Sequence, residues 1–236
     1  MFNSKERFDR KAIMAIPSPA YTKTWHPISH KEVITSLDTV IKNKGIKVRQ
    51  ETYSVKNNGR NIFGTWVLDI EKKGKLIQVG FRNSIMKNFA VGFCAGTWVI
   101  ACSNMMFKGE FIEFRKHTSG IDYDELLEIE DRTLDQVIKQ GNELIEWQNG
   151  LRKHKLDEPV FKQITYDAMD QGILAPNHFN AFLQAHTEEL ELVKSKNGTL
   201  YEFHGAITRM NRELNLFTID NRTRDLGVLC DQYMAN

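Results

Sequence analysis

The chain has 236 residues, of which 41% are hydrophobic and 10% aromatic, and its formal net charge is +2. Such a length and composition allow one large domain or two small ones with a real core, and exclude a disordered chain. No apolar run approaches the roughly 20 residues that cross a bilayer, residues 1–16 are too polar for a secretory signal, and three cysteines make no disulfide framework, so a cytoplasmic protein with no membrane contact is expected.

Residues 1–30 read as an irregular N-terminal arm, because IPSPAYTKTWHPIS holds three of the five prolines. Ser29 then opens a helix with Glu32 completing a capping box, Ile34, Leu37 and Ile41 forming its stripe, and Gly45 ending it. Strands follow. Lys47–Val55 alternates weakly, Asn57–Arg60 is a hairpin turn, and Asn61–Glu71 sets Ile62, Trp66, Leu68 and Ile70 on one face. Residues 72–75, KKGK, turn the chain into Leu76–Asn83, and Phe93–Cys102 is an apolar run suited to a central strand. Connections this short make an antiparallel meander.

After Gly120 the pattern becomes helical. Asp122–Lys155 repeats apolar residues at spacings of three and four, from Leu126 and Ile129 through Leu134, Val137 and Ile138 to Leu144, Ile145 and Trp147. Shorter helices are expected over Val160–Gln171, Asn177–Val193, Thr199–Leu214 and Arg222–Met234. The fold class is therefore α+β: an antiparallel β-meander flanked by helices, followed by an all-helical C-terminal region. Three parts are expected: the arm (1–30), a basic α+β module (31–120) and an acidic helical module (121–236).

The charge follows this division. Residues 1–120 carry 20 Lys+Arg against 9 Asp+Glu, a formal +11, and residues 121–236 carry 12 against 21, a formal −9. A basic half with interleaved aromatics points to a polyanion, most often nucleic acid. Opposite charge on one small chain also suggests a head-to-tail homo-oligomer, acidic module onto a neighbour's basic module.

Enzymatic motifs are lacking. There is no phosphate-binding GxxxxGK[ST], GxSxG, HExxH or CxxC. His26 and His30 are four apart but separated by Pro27, and Cys94 and Cys102 are too far apart along one strand to share an ion, so these thiols read as buried hydrophobes. The acids Asp122, Asp124, Glu125, Glu128, Glu130 and Asp131 crowd one helix start, where they suit the macrodipole better than a Mg²⁺ nuclease site. No catalytic residue, cofactor or metal is assigned.

The segment GFRNSIMKNFAVGF (80–93) does stand out. It joins two apolar strands yet carries Arg82, Asn83, Ser84, Lys87 and Asn88, donors suited to phosphate and sugar oxygens. With the turn and the RKHT group at 115–118, the expected nucleic-acid contacts are Lys72, Lys73, Lys75, Arg82, Asn83, Lys87, Arg115 and Lys116. Of the aromatics in this half (Tyr53, Phe63, Trp66, Phe81, Phe89, Phe93, Trp98, Phe107, Phe111, Phe114), most alternate as core and two or three are expected at the surface as stacking platforms.

These segments carry a resemblance. His26, Pro27, Ser29 and His30, then Gly80, Arg82, Asn83 and Ser84, then Gly96, Val99, Cys102 and Asn104, and finally Arg115, Lys116, His117 and Thr118, together resemble the phage/plasmid-like family known as domain of unknown function 932. TLYEFHGAITRMNREL matches that family's C-terminal segment with Tyr201 for Trp and Gly205 for Asn. The resemblance implies a phage, plasmid or prophage origin and supplies no activity. The order of elements is also similar to the core of single-strand-annealing recombinases. The expectation is a phage- or plasmid-encoded nucleic-acid-binding protein that binds or anneals single-stranded DNA in recombination or replication. The alternative is a non-enzymatic interaction protein, either a virion component or an inhibitor of a host system, with a host or virion protein as partner.

Overall fold

Residues in the left-handed region place the reversals of the chain. In a computed structural model, residues 8–86, 88–99, 104–107, 113–115, 123–194, 198–211 and 216–235 are described, with backbone alone for those within 98–122 and 211–222. Asn57, Asn58 and Gly59 take φ of 54°, 53° and 81° and turn β1 (Val48–Lys56) into β2 (Asn61–Lys72). Lys73 and Gly74, at 53° and 73°, turn β2 into β3 (Lys75–Ser84) as a two-residue hairpin of the primed kind. β1, β2 and β3 pair antiparallel, β4 (Val91–Val99) lies beside β3, and β6 (Glu113–Arg115) pairs with β4, Arg115 opposite Val91.

Helix α2 (His30–Asn43) starts at the expected capping box. The Ser29 hydroxyl accepts from the Glu32 N–H at 3.0 Å, and the Glu32 carboxylate accepts from the Ser29 N–H at 2.7 Å. Gly45, at φ 70°, follows its end. The arm is less irregular than its prolines imply. Asp9 caps a short helix α1 (Arg10–Met14) by accepting from Ala12 N–H at 2.7 Å, and Thr22 and Trp25 bridge in an antiparallel pair.

Helix α3 (Tyr123–Leu151) is the long helix, ending four residues before the expected Lys155. Then come α4 (Glu158–Asp170), α5 (Phe179–Leu192) behind a 3-10 turn, α6 (Leu200–Asn211) and α7 (Leu216–Met234). The fold is α+β, with an antiparallel sheet and helices preceding an all-helical C-terminal region.

Two compact units form, and their boundary differs from the expected one. Residues 1–98 and 110–142 make the first unit, and residues 99–109 and 143–236 make the second. The basic and acidic modules were expected to divide at 120. The first two-thirds of α3 instead belong with the sheet, because Leu126, Ile129, Leu134 and Val137 bury their stripe in that unit. At Gly141 the backbone of α3 comes so close to β3 that an added Cβ would sit 2.9 Å from Ile77 Cγ2.

In the first unit, β2 as far as Leu68 and nearly all of β3 are buried on both faces, beyond the one-faced pattern the alternation suggests. Trp66, Phe81 and Tyr53 meet edge to face, with centroids 5.5 Å apart for Trp66–Phe81 and 6.2 Å for Tyr53–Phe81. The space for Phe81 is Gly64, directly opposite it in the register. In the second unit, Leu151, Ile164, Phe182, Phe203, Ile207, Leu226 and Leu229 make one core. The short strand β5 (Asn104–Phe107) belongs to that unit and contacts α6 and α7.

Candidate nucleic-acid interface

The expected contact residues fall at two separate places. Lys72, Lys73 and Lys75 surround the β2–β3 turn, whereas Arg82 and Asn83 lie at the other end of β3. Eight residues of strand separate Lys75 from Asn83, roughly 27 Å at about 3.4 Å per residue. The register places Arg115, opposite the first residue of β4, at the Arg82 end. Lys87 and Lys116, and the Arg115 side chain, lie outside the described residues.

Two of the expected contacts are corrected by burial. Lys75 is 1% exposed, so its ammonium reaches no phosphate. Only Lys73 and Gly74 form the turn, and Lys75 is already the first residue of β3, paired with Lys72 and alternating inward with Ile77. Asn83 is 0% exposed, and its amide is engaged inside the protein. Lys73 is exposed and Lys72 half-buried. Likewise Tyr53, Phe63, Trp66, Phe81 and Phe93 are core and offer no stacking surface, while Phe89 is half-buried.

The motif residues do converge, as a structural staple. Gly59 O lies 2.9 Å from His30 Nε2, and a carbonyl only accepts, so Nε2 carries the proton. Nδ1 then accepts from Asn83 Nδ2 at 3.0 Å, which fixes a neutral imidazole. The same amide donates to Ile28 O at 3.0 Å. Beside it, the Ser84 hydroxyl donates to Asn61 Oδ1 at 2.7 Å and accepts from the Met86 N–H at 3.1 Å, while Ile85 N–H donates to Arg60 O at 3.0 Å. Thus the start of α2, the β1–β2 turn and the β3–β4 turn are bonded together at one end of the sheet.

Cations stand around this end. Lys31 and Arg60 each follow a residue of the His30–Gly59 bond, and both are exposed. Neither has an acidic partner among the described residues. Lys56, the last residue of β1, is also exposed, and the Arg82 guanidinium lies 5.3 Å from the centroid of the Phe89 ring. Sequence reasoning missed Lys31 and Arg60 because one sits in a helix-start motif and the other in a turn motif, each already explained locally.

Other cations of the basic half are neutralised in place. Arg10 pairs with Asp38 and Glu51, Lys42 with Asp38, and Arg49 with Asp69. Lys44 bonds Asp131 and Asp135 of α3, both at 2.9 Å, and these bonds raise its pKa. Acidic and basic halves therefore meet within one chain, which weakens the charge argument for a head-to-tail assembly.

The second unit holds a different polar cluster, on α5 and α6. Arg209 donates to Glu189 at 2.8 Å and Glu188 at 2.7 Å, and Glu202 accepts from the Thr199 N–H at 2.8 Å. Gly205 lets the Glu189 carboxyl approach α6, since a Cβ there would sit 3.1 Å from it. Burial raises the pKa of Glu189 against the pull of Arg209, and burial lowers that of His186, which packs on Phe161 with centroids 4.6 Å apart. Among the described residues, no group of three or more His, Cys, Asp or Glu side chains is placed to hold a metal ion, and no helix is long and apolar enough to cross a membrane. Compared with known proteins, the chain matches no family model, no curated protein and no solved structure.

Proposed function

We propose that the chain is a phage- or plasmid-type protein that binds single-stranded nucleic acid at the stapled end of its sheet. One observation carries this reading: Lys31 and Arg60, exposed and without acidic partners among the described residues, flank a hydrogen-bonded junction that fixes three chain segments. A fixed junction presents its cations from backbone that pays no ordering cost on binding, which leaves only the side chains to order. Beside them, Arg82 over half-buried Phe89 offers a surface on which a base can stack, and this favours single strands over a closed duplex.

The test is a gel-shift titration of Lys31→Ala/Arg60→Ala against a single-stranded oligonucleotide across a salt series. Each lost phosphate contact removes about 0.7 from the slope of log affinity against log salt, so the double variant flattens it by roughly 1.4. Lys73→Ala, at the opposite end of the sheet, leaves the slope unchanged. An unmodified protein that fails to bind at low salt, or a Lys73 variant as impaired as the double one, refutes the proposal.

A further inference from the structure

We infer that residues 8–16 form an exchangeable arm, and that the site holding it in one chain accepts the same segment of a second copy. Helix α1 has five residues, too few to stand alone in water. Side chains fix its place. Arg10 Nη1 lies 3.1 Å from Glu51 on β1 and Nη2 lies 3.2 Å from Asp38 on α2. The guanidinium also stands 5.1 Å from the centroid of Trp66 on β2. Ile13 is fully buried, and Ile16 packs on Gly59, where an added Cβ would sit 2.8 Å from its Cδ1.

The receptor belongs wholly to the body of the unit. Two carboxylates and an indole face from α2, β1 and β2 make a site for a guanidinium that owes nothing to the arm itself. A second copy's Arg10, Ile13 and Ile16 would find the same contacts, so only the connecting segment separates the two arrangements.

That segment, residues 17–27, leaves from Gly59 and returns to it: Ile16 rests on Gly59, and His30 bonds its carbonyl. Eleven residues must therefore close on themselves. Pro17, Pro19 and Pro27 oppose closure, each fixing its own φ and pushing the residue before it toward extended backbone. Residues 17–24 are exposed, and the reversal is held by Thr22 and Trp25 N–H···O bonds of 2.8 and 3.4 Å. Opened out, the segment spans roughly 36 Å, enough to reach a neighbour's receptor. Reciprocal exchange closes a two-fold dimer, independently of whether nucleic acid binds.

The test mixes two purified variants, Arg10→Cys and Glu51→Cys, under mild oxidation. Exchange yields a covalent heterodimer on a non-reducing gel. It also raises the mass of the unmodified chain from 27.3 kDa toward twice that value as concentration rises, by light scattering. Pro17→Ala/Pro19→Ala eases closure and shifts that rise to higher concentration. The inference is overturned if the mixture gives no heterodimer while the R10C/E51C chain closes its own disulfide. If either cysteine variant fails to fold, the unmodified chain decides: a monomer over roughly two decades of concentration overturns the inference, because exchange follows mass action.

Discussion

Glu130 imposes a cost that a single substitution should remove. It lies on α3 at 0% exposure, and neither carboxylate oxygen has a hydrogen-bond partner among the described residues. Burial pushes its pKa well above the ordinary 4.5; the nearby Ser36 hydroxyl on α2, which donates to Glu32 O and Val33 O of its own helix, offsets this only in part. A raised acid takes up a proton on folding, so its effect on stability runs against pH. The cost is absent below 4.5, grows as pH rises above it, and stops growing once the folded group ionises. Each pH unit of that window costs about 1.4 kcal/mol. Glu130→Gln keeps the shape and the polar count without the proton uptake. Urea unfolding of both proteins from pH 4 to pH 8 should give equal midpoints at the acid end, with the variant gaining about 1.4 kcal/mol per pH unit as pH rises above 4.5, until the folded Glu130 ionises. Parallel curves across the range, or a variant less stable at pH 7, would refute the reasoning.

Two further outcomes test the packing. Gly64→Ala puts a Cβ 2.2 Å from Phe81 Cζ and should cost about 1–3 kcal/mol by overpacking; Phe81→Leu in the same chain should recover part of it, read by thermal melts as a double-mutant cycle. Asn83→Ala leaves Ile28 O and His30 Nδ1 without their donor and should cost about 1–3 kcal/mol in the same assay, whereas a surface contact residue would melt unchanged.

What could be read from the sequence was local. The Ser29–Glu32 capping box, the Asn57–Arg60 turn and the KKGK turn each depend on neighbouring residues alone, and all three stand where expected. Burial depends on what folds over a strand from far along the chain, and there the reading failed. Lys75 looked like part of a charged turn and is core. Asn83 looked like a surface donor and instead holds His30, 53 residues away. The same long-range packing explains the charge. Residues 121–142, with seven acids and two bases, fall in the unit that holds the sheet, so that unit is far less basic than the +11 of residues 1–120. The basic surface therefore has to be located residue by residue, as at Lys31 and Arg60.

The passage of α3 through both units has a practical consequence for dissecting the protein. A cut at residue 120, where the composition changes, would strip the sheet unit of Leu126, Ile129, Leu134 and Val137 and leave that stripe exposed on the other fragment, inviting aggregation of both. A cut just after residue 142 keeps the Leu126–Val137 stripe with the sheet, but it leaves β5, which contacts α6 and α7, on the wrong fragment. It would sever a continuous helix one residue beyond Gly141, where the backbone lies against Ile77. No single cut separates the two units, and one of their boundaries falls in a helix interior, a place where neither a loop nor a change in composition marks the join.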